Sequence, residues 1–233
     1  MLPHDATTGG RAGFFGKVSS HGDFVARRLP PSFQEPWDAW LQAGLQASRQ
    51  ALGPDWLATY LGSPIWRFAL TPGLCGAGGW AGVLMPSVDR VGRHFPLTLA
   101  GAGAGPLDQL SRCGEWYGRL EVLALSTLCE GFSLDAFDAA LHALEAPRLA
   151  AAAAPGLTVL ALDPDQPMDD ELAAPSARLL AGIAAAALDG HSLWWTDGSA
   201  KVAPCVLVCR GLPAPEAFAG LLDAKWQRGD VRK

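Results

Sequence analysis

Ser20, His21 and Asp23 supply the residue types of a hydrolytic triad: a nucleophile, a base and a carboxylate to orient it. Three neighbours in one turn cannot line up for that relay, and no Gly-x-Ser-x-Gly elbow occurs in the chain. Hydrolysis is set aside on site geometry, and the segment reads as a turn whose Asp23 bonds local backbone amides. Two glycine-rich stretches fail as phosphate cradles. In Gly10 to Val18 the gap from Gly10 to Gly16 is one residue too long, and Val18 stands where Ser or Thr must hold magnesium. Gly76-Ala77-Gly78-Gly79-Trp80-Ala81 runs into a strand pattern, so it offers a pyrophosphate no helix N-terminus. The acidic group Asp163, Asp165, Asp169, Asp170 and Glu171 has Met168 where a calcium loop needs glycine. Cys205 and Cys209 lie four apart on a strand pattern, about 13 Å from each other, too far to bridge or share a metal. No catalytic residue, cofactor or metal is therefore expected.

What remains is a set of opposite charges in turns. Arg67 lies on a strand pattern whose alternate face is Trp66, Phe68 and Leu70. With helices over both faces its guanidinium is partly buried and needs a carboxylate, for which Asp23 and Asp89 are the candidates. Arg90 and Arg93 add two more cations beside Asp89. The expectation is one polar cluster at an end of the sheet, built from His21, Gly22, Asp23, Phe24, Arg67, Ser87, Asp89, Arg90 and Arg93. Such a cluster either ties the loops together, holds a protein partner, or clamps a small anion.

These residues need a scaffold, and the chain has the material for one. Of its 233 residues 49% are hydrophobic and 18% charged, enough for a substantial core without disulfides or metal. A net charge of −5 argues against a sequence-independent hold on nucleic acid or anionic lipid. No uncharged apolar run reaches the roughly 18 residues that span a bilayer, so no direct membrane insertion is expected. The Met1 end lacks a signal-peptide pattern. Five cysteines, an odd number set mostly in apolar runs, read as reduced core residues of a cytosolic protein.

The periodicities predict a strand over Gly13 to Val18, a turn at Ser19 to Asp23, and then a helix capped by Ser32 and stopped by Gly53-Pro54. A short helix follows at Asp55 to Leu61. Strands are predicted at Ile65 to Leu70, Trp80 to Met85 and Phe95 to Ala100, with connections short enough to favour antiparallel pairing. Helices are predicted over Leu107 to Cys129, from a Ser133 cap to Pro147, and over Ser176 to Leu188, with a strand at Leu157 to Leu162. Leu193-Trp194-Trp195, a strand at Cys205 to Cys209 and a helix from Pro215 to about Trp226 complete the chain. The alternation predicts an α/β fold: one domain over 1–233, a three-layer α/β/α sandwich with a mixed sheet, its ends (1–12 and 227–233) flexible. Most of the nine tryptophans fall on core faces, whereas Trp194 and Trp195 must face opposite sides.

Several blocks together resemble a known family. They are Gly13-Phe14-Phe15-Gly16-Lys17-Val18, His21-Gly22-Asp23-Phe24-Val25, Trp37 to Leu41, Ser48-Arg49, Ser63 to Phe68 and, above all, Gly82 to Thr98. In order and spacing the chain is similar to the TagF (ImpM) proteins associated with bacterial type VI secretion. The likeness is densest over residues 13 to about 100, and beyond that only Trp194-Trp195 adds to it. The resemblance implies a cytoplasmic, non-enzymatic accessory protein that negatively regulates assembly or firing of the secretion system through protein binding. It implies a forkhead-associated scaffold protein of the same system as the partner. An anion- or phosphate-responsive sensor of that system is the alternative, and oligomeric state is left open.

Overall fold

The chain enters the fold on β1 (Gly13–Gly16) and turns back into β2 (Val25–Arg27), and these open a seven-stranded sheet. The computed structural model describes residues 11–103, 114–144 and 188–226. β3 (Trp66–Leu70), β4 (Trp80–Met85), β5 (Leu97–Ala102), β6 (His191–Thr196) and β7 (Cys205–Arg210) complete the sheet in the order β2-β1-β5-β4-β3-β6-β7. Every neighbouring pair is antiparallel, which corrects the expectation of a mixed sheet. Connections as short as those between β3, β4 and β5 leave no room for the crossover a parallel pair requires.

Helix α1 (Pro31–Leu52) carries Phe33, Trp37, Trp40, Leu41 and Leu45 on one buried stripe. It begins on Pro31 with Pro30 as N-cap, not on a Ser32 cap. Proline suits the first helical turn because its fixed φ is already helical and its missing N–H would have no partner there. A 3₁₀ turn (Gly53–Asp55) leads into α2 (Trp56–Leu61). Later come α3 (Gly114–Ser126), α4 (Leu134–Ala143), a 3₁₀ turn (Pro215–Ala217) and α5 (Phe218–Asp223). Ser133 caps α4 as expected, accepting from the Ala136 amide at 3.3 Å.

Alternation along each strand separates two apolar clusters. Phe15, Trp66, Phe68, Leu70, Leu84 and Trp194 join α1, α2 and α5. Phe14, Val83, Met85, Leu97 and Leu99 join α3 and α4 through Trp116, Tyr117, Leu120, Phe137 and Leu141. Trp194 is fully buried in the first cluster, while Trp195 meets the Tyr117 ring of the second at 4.8 Å, so the pair does divide between the faces. Buried indoles need partners for their N–H groups, and five find them. Trp37 donates to Thr98 Oγ1 at 2.8 Å, Trp40 to the Pro213 carbonyl, Trp56 to Ser48, Trp66 to the Leu221 carbonyl and Trp194 to Ser192.

Three further sequence expectations need correcting. The segment after the first turn forms the three-residue strand β2 before the helix, too short for its period to show. β5 starts at Leu97 and not at Phe95, because Pro96 has no amide for the ladder. Not every cysteine is a core residue: Cys75 is buried, with its thiol pushed up to about 12 by burial, but Cys129 is exposed. Cys113, the strand at 157–162, the acidic group at 163–171, the C-terminal end at 227–233, residues 1–10 of the N-terminal end and all but Leu188 of the helix at 176–188 lie outside the described residues.

Candidate functional site

Asp89 organises the site. Its carboxylate is fully buried and accepts from Lys17 Nζ at 2.5 Å, Arg93 Nε at 2.6 Å, and the amides of Val91 and Arg93 at 3.0 and 2.8 Å. Burial alone would push this carboxyl up. The bonds from Lys17, from both groups of Arg93 and from Val91 outweigh it and hold the acid well below the usual carboxylate range. Lys17 follows β1 directly and is largely withdrawn from water, its side chain only 7% exposed. It is the one central member of this network that the sequence reading left out. A lysine one residue past an apolar strand was the available sign, because a buried ammonium demands a counter-ion.

The turn at 19–24 and the loop at 86–94 meet over this pair. Arg90 donates its amide to the His21 carbonyl at 2.9 Å, and Arg93 Nη2 donates to the Gly22 carbonyl. Arg93 Nη2 also lies 3.7 Å from Asp23 Oδ1. Ser87 is buried beneath, donating from Oγ to the Lys17 carbonyl at 2.7 Å, while Tyr60 both accepts from the Ser87 amide and donates to its carbonyl. Phe24 stacks on Phe15 and meets Phe95 edge to face, with Lys17 Nζ 5.0 Å from its ring centre. His21 takes a 2.8 Å contact from Ser20 through Nδ1. Ser20 and His21 thus sit side by side in the turn.

Arg67 does not join the cluster. It is partly buried and carboxylate-paired, as its strand position requires, but its partners are Glu121 on α3 and Asp197 after β6. Nε and Nη2 make a two-point contact with Glu121 at 2.6 and 3.0 Å, and Nη2 reaches Asp197 at 2.6 Å. The reading that paired it with Asp23 or Asp89 is corrected: its side chain points to the face covered by α3, a choice that strand alternation alone cannot make. An anion clamp formed jointly by Arg67 and Arg93 is therefore not built.

The cluster presents a mixed surface. Asp23, Phe24, Arg90, Val91 and Arg93 are exposed, Phe24 by 48% and Val91 by 67%, above a buried base of Lys17, Ser87 and Asp89. All these residues fall inside a stretch that matches a family model. Residues 13–144 match the TagF N-terminal domain, described as type VI secretion system-associated. The chain belongs to the TagF family. The crystal structure of PA0076 from Pseudomonas aeruginosa PAO1 is 40% identical to this TagF chain, covering 95% of it and 97% of its own length with a TM-score of 0.81. No curated protein sequence matches the chain. The TagF match ends at residue 144, yet β6 and β7 extend the same sheet from the β3 edge. Among the described residues no helix is long and apolar enough to cross a membrane.

Proposed function

We propose that this TagF chain is a non-enzymatic, cytoplasmic negative regulator of type VI secretion that acts by holding a protein partner on the face formed by His21 to Phe24 and Arg90 to Arg93. The observation that carries this reading is the buried Lys17–Asp89–Arg93 network, which locks two loops so that exposed charges and two exposed apolar side chains stand in one fixed arrangement. Preorganised surfaces of this kind lose little entropy on binding. Family membership supports the secretion-system role, and a forkhead-associated scaffold of that system is the partner the reading names. A three-layer α/β/α arrangement belongs to the same reading, supported by an apolar cluster against each face of the sheet.

The test is capture of the purified scaffold by wild type and by an Asp23→Lys, Arg90→Glu variant. Both positions are exposed and neither side chain bonds the Asp89 carboxylate, whereas Arg93 donates to it, so this variant keeps every bond of the buried carboxylate. Loss of scaffold capture with an unchanged melting curve is expected. Undiminished capture would move the contact elsewhere.

A further inference from the structure

The two ends of the sheet are treated differently by the chain. At one end β2 is three residues long, carries the exposed Arg27, and runs into Arg28 at a left-handed φ of 59°, all features that keep other strands from adding there. At the other end β7 is six residues long and, among the described residues, is paired only with β6. Its outward-facing residues include Val206 and Val208, 58% and 55% exposed. Gly211 donates to the Gly190 carbonyl at 2.7 Å, in step with the β6–β7 register. Backbone groups alternate sides along an antiparallel strand, so Val206 and Val208 direct their N–H and C=O groups away from β6.

The sequence of this edge reads the same in both directions: Cys205-Val206-Leu207-Val208-Cys209. In an antiparallel two-fold pair of identical strands the backbone ladder forms with any sequence, and about Leu207 this palindrome sets like side chains opposite each other, valine on valine and cysteine on cysteine. We propose that β7 is a self-association edge on which a second copy of this chain pairs antiparallel about Leu207, giving a two-fold dimer with a sheet continuous across both molecules. In that register Val206 faces the partner's Val208, each exchanging both backbone bonds, and the exposed valines of the two chains form one apolar row. The face lies outside the 13–144 match and is separate from the loop cluster, so the dimer and the partner-binding reading stand or fall independently.

Sedimentation velocity across a wide concentration range, with the whole chain, tests the association. A dimer that forms with concentration and is lost in Val206→Lys, Val208→Lys, with circular dichroism unchanged, is expected. Register is tested in chains that carry Cys205→Ser and Cys209→Ser, since those two thiols would face each other in the same register: a Val206→Cys chain is mixed with a Val208→Cys chain and oxidised with diamide, which takes up the two electrons and two protons released by the thiols. A covalent dimer joining 206 to 208, mapped by peptide mass spectrometry, is expected from the mixture. A monomer at every concentration, a dimer indifferent to the lysines, or cross-links that avoid the 206–208 pair would each overturn the proposal.

Discussion

Replacing Lys17 by methionine keeps most of the side chain's length and removes only its charge. The ammonium it deletes is 2.5 Å from a fully buried carboxylate, in a pocket closed by Phe24. Breaking a buried ion pair by removing one partner costs about 3–5 kcal/mol, because the other charge stays buried. Asp89 would retain Arg93 and the amides of Val91 and Arg93, so the loss falls at the lower end, about 3 kcal/mol. For a chain of this size that is a drop of roughly 6–12 °C in melting temperature. Urea unfolding followed by tryptophan fluorescence reads it as a lower midpoint at unchanged slope.

The pH dependence checks the cause. Asp89 is held below its unfolded carboxylate value, so its contribution is full above about pH 4 and is lost as pH falls toward the depressed folded value. The gap between wild type and Lys17→Met therefore narrows in acid below about pH 4. Asp23→Ala, whose side chain is 99% exposed, should leave the midpoint unmoved. A Lys17→Met loss under about 1 kcal/mol, or a gap constant into acid, would refute the claim that this pair fixes the two loops.

Two other substitutions probe the scaffold by the same urea assay. Arg67→Ala, breaking a pair that is about one-fifth exposed on each side, should cost about 1–2 kcal/mol, while Asp197→Asn, at a mostly exposed acid, should barely register. Gly82→Ala should cost more than about 2 kcal/mol, because a Cβ there would stand 2.1 Å from the Leu99 carbonyl oxygen and 2.9 Å from Phe68 Cζ in the middle of the sheet. A near-neutral Gly82→Ala would mean β4 and β5 can separate more easily than their register implies.

Much of this protein is written locally. The stripe of α1, its stop at Gly53, the whole of β4 from Trp80 to Met85 and the Ser133 cap follow from period and punctuation, which neighbours in the chain determine. So does the division of Trp194 from Trp195, since adjacent strand residues must face apart. The family likeness was also legible, because ordered blocks survive in a linear string.

Pairing between distant residues was not. Whether Arg67 meets Asp89 or Glu121 depends on which helix covers its face, and no spacing along the chain encodes that. Lys17 looked like an ordinary strand end until the loop carrying Asp89 was folded over it, turning a solvated cation into half of a buried pair. Asp23 and Arg93 are 70 residues apart along the chain (93 − 23) and 3.7 Å apart in space, a proximity set by the antiparallel return of β5 beside β1. Short-range order comes from torsions and periodicity; the charges find their partners only once the sheet has closed the distance.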